Sequence, residues 1–148
     1  MVDETALLVA DVFEAAGALR RLGEQTAAAE GLTQARWQVL SAVSEDSLTV
    51  PQAARRLGVS RQNVQRVAND LVALDLAGYA SNPDHRGSPL LTLTPRGEEA
   101  LARVTDRASK LNRTLFAAMP DEEIRATRAS LRRLLAELDR HEGAAGKR

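Results

Sequence analysis

Residues 51–76, PQAARRLGVSRQNVQRVANDLVALDL, decide the fold. Two short helical patterns meet there at Gly58. In the first, Pro51 sits in the opening turn, where a missing N–H costs little, and Thr49 just before it is a natural cap. Ala53, Ala54 and Leu57 fall on one face of that helix. Gly58 can take the left-handed backbone conformation that ends a helix. One residue later Ser60 can cap a second helix, with an apolar stripe of Val64, Val67, Ala68, Leu71 and Leu74. A helix-turn-helix needs a small residue where its helices cross, a glycine at the turn and apolar anchors beyond it. Ala54, Gly58, Val59 and Val64 meet those needs, with Leu57 and Val67 at the other apolar positions. An ordinary helical hairpin around a glycine would need only some of these matches.

The outer face of the second helix carries the chemistry. At about 100° per residue, Gln62, Gln65, Arg66 and Asn69 lie opposite the apolar stripe, with Arg61 and Asn63 on the flanks. Guanidinium and amide groups are the side chains that contact guanine and adenine edges in the DNA major groove, often in bidentate fashion. A routine solvated face would mix Glu with Lys, yet no acid occurs from 60 to 69, where phosphate would repel it. Ser60, Arg61, Gln62, Asn63, Gln65 and Arg66 are therefore the candidate DNA-binding residues of this helix.

After this helix the hydrophobic period changes. Residues 79–82 and 90–93 read as two short strands, joined by the turn-rich loop 83–89. This hairpin has a protruding tip bearing Asp84, His85 and Arg86. An arginine on a thin loop can enter the narrow minor groove, and Asp84 can steady it by an ion pair or by capping the turn. Asp84 and Arg86 complete the candidate site. Thr94 then caps another helix with Pro95 at its first position.

The flanking segments are helical too. From Thr5 to about residue 28, Leu8, Val12, Ala16, Leu19 and Leu22 form one face, and Thr33 opens a helix through Trp37, Leu40 and Val43. Residues 48–50 are short and β-prone. Beyond Thr94 one helix runs through Ala100, Val104, Ala108, Leu111 and Leu115. A last helix opens at Pro120 with acids at its positive end and carries Ile124, Leu131, Leu134, Leu135 and Leu138. The expected fold is mainly α with a small β-hairpin wing: a winged helix-turn-helix at 33–94 between terminal dimerisation helices at 5–30 and 95–141. All of it falls in one domain over 1–148, with a disordered tail at 143–148. The outer helices carry more apolar surface than one small core can bury, which favours a homodimer over helices folded back on a monomer. Phe13, Trp37 and Leu40 could line a cavity, but they read better as ordinary core.

Composition bounds the function. Net charge is zero, but residues 50–97 hold six arginines against three aspartates, a surplus of three balanced by an acidic remainder. With no cysteine and two histidines, disulfides, thiolate chemistry and histidine-rich metal sites are excluded. No apolar run approaches the roughly 20 residues that span a bilayer, and no secretory signal opens the chain, so a cytoplasmic location is expected. There is no glycine-rich phosphate loop, paired-histidine motif or nucleophile with a base. No catalytic residue and no cofactor is assigned, and an enzyme is not expected.

Three stretches bear a family resemblance: Leu32 and Thr33 with residues 37–40, residues 51–76, and residues 82–86 with 91–97. In these the chain resembles the multiple-antibiotic-resistance regulator (MarR) family of bacterial winged-helix proteins, and the helix order resembles it end to end. The resemblance implies a homodimer on a pseudo-palindromic double-stranded DNA operator at the bacterial nucleoid. Such proteins are usually repressors, and many are released by a small, often aromatic, effector. It also implies that Arg86 is the wing arginine and Asp84 its partner. Gly87, where many relatives have a polar or charged residue, loosens the tip. A winged-helix module used for protein contacts, without DNA binding, is the alternative; exposed aromatics on the second helix would mark it.

Overall fold

The computed structural model describes residues 1–146. Helix α1 (Glu4–Ala28) opens at Asp3, whose Oδ1 accepts hydrogen bonds from the Thr5 amide at 2.9 Å and the Thr5 hydroxyl at 2.6 Å. The Thr5 bonds hold the Asp3 carboxyl below its ordinary range. Thr33 caps α2 (Gln34–Ser44) by accepting from the Arg36 amide. In front of α3 (Val50–Leu57), Thr49 and Gln52 satisfy each other's backbone amides in a capping box. Gly58 ends α3 at φ +68°, and Ser60 caps α4 (Arg61–Ala73). The hairpin pairs β1 (Ala77–Ala80) with β2 (Leu90–Leu93), Ala77 opposite Leu93 and Tyr79 opposite Leu91. The β-prone segment at 48–50 contributes a single bridge, the Leu91 amide donating to the Leu48 carbonyl at 2.7 Å. Helices α5 (Pro95–Leu115) and α6 (Asp121–Ala145) complete the order.

The chain divides into two compact units, Met1–Ser109 and a second beginning at Lys110. In the first, α2 packs on α1, α3, α4 and β2, and α4 also packs on α3 and β1. Leu40, Val64, Leu71, Leu91 and Val104 are the largest fully buried side chains of its core. Trp37 lies half-buried against that core. Arg36 reaches Asp70 at 3.5 Å, tying α2 to α4. Glu30, just past α1, takes bonds from Arg103 at 3.2 Å and Arg107 at 3.0 Å on α5. In the second unit, no residue of α6 is buried, and Leu131, Leu134, Leu135 and Leu138 form an exposed stripe at helical spacing.

The junction of α4, the hairpin and α5 is tight. Asp75 adopts φ +59°, which turns the chain from α4 into β1. Thr94 donates its amide to the Leu76 carbonyl at 3.1 Å and its hydroxyl to the Asp75 carbonyl at 2.6 Å, while its Oγ1 accepts from the Gly97 amide at 3.1 Å. Gly97 is buried so closely that a Cβ there would lie 1.8 Å from the Leu76 carbonyl oxygen.

Four details depart from the sequence reading. Strand β1 begins at Ala77 rather than Tyr79, because the turn at Asp75 brings Ala77 under the core and Asn82 is consumed by the hairpin loop. Val59 and Leu74, expected as anchors, are 41% and 44% exposed, each sitting just outside a helix end where the stripe has rotated away from the core. Phe13, expected in the core, is 75% exposed on α1. The tail expected from 143 is helical to Ala145, α6 running on through Gly143 and ending at Gly146; residues 147 and 148 lie outside the described part.

Candidate nucleic-acid interface

The interface is built from two caps and a glycine. The Thr49 capping box fixes where α3 begins, and the positive φ of Gly58 lets the chain reverse within two residues. The Val59 amide donates to the Ala54 carbonyl at 3.1 Å, closing the turn. Ser60 Oγ accepts from the Asn63 amide at 3.1 Å, so its hydroxyl oxygen is engaged as a helix cap. Val64, Val67, Ala68 and Leu71 then sink into the core, which forces the opposite face of α4 outward.

The structure exposes Ser60, Arg61, Gln62, Gln65 and Arg66, and half-exposes Asn63. Arg66 donates to Asn63 Oδ1 at 2.6 Å. That bond occupies Asn63 Oδ1 and holds the guanidinium along the first turn. Asn69, one turn further on, is also exposed. Among the described residues, Arg61, Arg66 and Arg86 pair with no carboxylate, and neither does Arg55 at the end of α3. On α4 and at the turn after it the acids are engaged elsewhere: Asp70 with Arg36, and Asp75 with Arg96 at 3.8 Å. The surplus of positive charge seen in the sequence therefore survives at this surface.

The hairpin loop is held by Asn82. Its Oδ1 accepts from the Asp84 amide at 3.1 Å, and its Nδ2 donates to the Ser88 carbonyl at 3.0 Å across the loop. Asp84 and Arg86 are both exposed at the tip, and no ion pair joins them. The steadying expected of Asp84 is supplied by Asn82, two residues earlier, where an amide can serve as donor and acceptor at once. Asn82 escaped the sequence reading because it was placed inside a strand.

Tyr79 escaped it as well. It projects from β1, 41% exposed, and its hydroxyl lies 2.9 Å from Gln65 Nε2. The same nitrogen is 3.0 Å from Asn69 Oδ1. Between α4, the start of α3 and the hairpin runs an open groove of about 570 Å³, with Pro51, Arg61, Gln62, Gln65, Tyr79 and Pro89 among its walls. Of the sequence-derived candidates on α4, Arg61, Gln62 and Gln65 line this groove, Ser60 and Arg66 are exposed outside it, and Asn63 is half-exposed beside Val39 and Val64; the tip residues Asp84 and Arg86 stand on the adjoining hairpin. Among the described residues, no group of histidines and acids could hold a metal ion, and no helix is long and apolar enough to cross a membrane.

Comparison with known proteins agrees with this architecture. A MarR family model matches residues 30–87, the span from the end of α1 to the hairpin tip. An uncharacterized protein of Mycobacterium tuberculosis is 61% identical over 138 residues, 93% of this chain and 96% of that protein. The crystal structure of a MarR family transcription regulator shares 27% identity with a TM-score of 0.77, over 93% of this chain and 95% of that one. MarR of Staphylococcus aureus, solved in complex with salicylate and kanamycin, shares the fold at 17% identity with a TM-score of 0.77, over 90% and 94% of the two chains. With its four-helix, hairpin, two-helix order, the chain has the winged-helix fold of MarR family transcription regulators, and its central segment matches that family's model.

Proposed function

We propose that the protein is a homodimeric, sequence-specific double-stranded DNA-binding regulator. It represses by occupying a pseudo-palindromic operator in the bacterial cytoplasm, at the nucleoid. The observation that carries this reading is the acid-free outer face of α4. Arg61, Gln62, Gln65 and Arg66 stand open there, and among the described residues no carboxylate pairs with either arginine. Such a helix presents Arg and amide groups to base edges in the major groove. Arg86 on the hairpin reaches the flanking minor groove, and Asn63 and Ser60 orient the first turn of the helix against the backbone. Asn82, bonded to the Asp84 amide and the Ser88 carbonyl, limits how the tip that carries Asp84 and Arg86 can move.

The partner is a second copy of the chain. The exposed stripe of α6 and the exposed Leu7, Leu8, Val9, Phe13 and Leu19 of α1 are apolar surface that a twofold interface would cover. A twofold pair sets the two α4 helices about one duplex turn, or ~34 Å, apart on the operator. A small aromatic acid is the proposed effector, on the precedent of the Staphylococcus aureus protein solved with salicylate.

The test is selection of bound duplexes from a random pool by the purified protein, followed by affinity measurements over a salt series. A palindromic consensus and a steep fall of affinity with salt are expected. Arg86→Ala weakens binding to all duplexes, while Gln62→Ala and Arg66→Ala alter base preference. If none of the three substitutions changes binding, the assigned surface is wrong. If no duplex is enriched at all, the protein is a winged-helix module for protein contacts instead. Release of the selected duplex by salicylate tests the effector class separately.

A further inference from the structure

The bond between Tyr79 and Gln65 has a consequence for what the α4 face can read. A glutamine amide offers two N–H donors and one carbonyl oxygen. Here both donors point inward: Gln65 Nε2 lies 2.9 Å from the Tyr79 hydroxyl and 3.0 Å from Asn69 Oδ1. Only Oε1 remains to face a ligand, and Gln65 itself is exposed on the groove. Bidentate recognition of adenine needs a donor and an acceptor from the same amide. Gln65 held in this way can supply only the acceptor.

We propose that Tyr79 is a specificity-determining residue, which latches Gln65 to the hairpin and commits it to a single acceptor contact in the major groove. The inference rests on the DNA-binding reading above and adds to it the identity of the contact. The base groups that can satisfy Oε1 are the exocyclic amines of cytosine and adenine. Tyr79 accepts from Gln65, so it keeps its own hydrogen and donates outward, beside Asn69, whose Nδ2 is likewise left to donate. The latch spans from the middle of α4 to β1, fourteen residues later in the chain. It therefore orders a long, rotamer-rich side chain before DNA arrives. It also fixes the reading face against the hairpin.

The experiment uses the full-length protein and the duplex it enriches from a random pool, with every single base-pair change made in one half-site. In Tyr79→Phe the ring stays and the hydroxyl goes, so Gln65 can turn and offer donor and acceptor together. Discrimination should change about fivefold, toward A·T, at one base pair per half-site, as expected for one hydrogen bond gained or lost. The other positions and the salt slope should not move. Gln65→Ala should remove discrimination at that same pair, and adding Tyr79→Phe to it should change nothing more. A Tyr79→Phe profile identical to the parent's overturns the inference. So does a loss uniform over all duplexes with base preference unchanged, which would make Tyr79 a backbone contact only. A parent protein that enriches no sequence sinks the DNA-binding reading itself. An enriched sequence whose preference ignores Tyr79→Phe sinks the latch alone.

Discussion

Replacing Gly97 by alanine tests the packing of the hairpin root against α5. The added Cβ would stand 1.8 Å from the Leu76 carbonyl oxygen, whereas real Cβ atoms essentially never come closer than 3.0 Å. The two segments must therefore separate by at least the difference, 1.2 Å. Both are main chain, so no side-chain rotation can absorb the clash. Two hydrogen bonds span the gap that must open: the Thr94 amide to the Leu76 carbonyl at 3.1 Å and the Thr94 hydroxyl to the Asp75 carbonyl at 2.6 Å. Loss of each costs about 1 kcal/mol, and overpacking a close contact adds about 2 kcal/mol. Alanine's better helix propensity returns about 1 kcal/mol. The net is about 3 kcal/mol, which at a urea slope of about 2 kcal/mol/M lowers the unfolding midpoint by roughly 1.5 M. Far-UV circular dichroism in urea reads it directly. Gly78→Ala is the internal control, because a Cβ there meets nothing within 4 Å. If Gly97→Ala and Gly78→Ala unfold at the same urea concentration, the contact is not as described and the reasoning fails.

Gly58→Ala also meets no neighbour, but it forces a side chain onto φ +68°, so it should cost about 1 kcal/mol in the same titration and no more. Thr49→Ala removes half of the capping box, with an expected loss of about 1 kcal/mol; an unchanged midpoint would mean that α3 starts without its help. Glu30→Ala releases two half-exposed arginines on α5 and should lower stability by less than about 1 kcal/mol, an effect that fades in about 1 M salt. Leu135→Glu places a charge in the exposed stripe of α6 and should convert the proposed dimer to monomer in analytical ultracentrifugation; a persisting dimer would move the interface elsewhere.

The helix-turn-helix was legible because each of its devices is local: a cap at Thr49, a left-handed turn at Gly58, a cap at Ser60 and a stripe with helical period. The outward direction of Gln62, Gln65 and Arg66 follows from that period alone. Contacts between distant segments were not legible. Nothing in the sequence places the Tyr79 hydroxyl against Gln65, because the register of β1 depends on Asp75 adopting positive φ, a conformation expected of glycine or asparagine first. Asn82 and Asp84 are both good turn residues, and only the loop's closure decides which one ties it. Phe13 was misplaced because an apolar helix face looks the same whether it is covered by its own chain or left open.

Trp37, half-sunk on α2 against the core of the first unit, is the protein's sole tryptophan, and the chain has no thiol. Its emission therefore reports on the packing of that one core, with no second indole to blur the signal. A cysteine introduced at the hairpin tip would be the only site a maleimide dye could find. Indole and dye would then form a single donor–acceptor ruler between the core and the wing, and any movement of the wing on adding the proposed operator could be followed in real time.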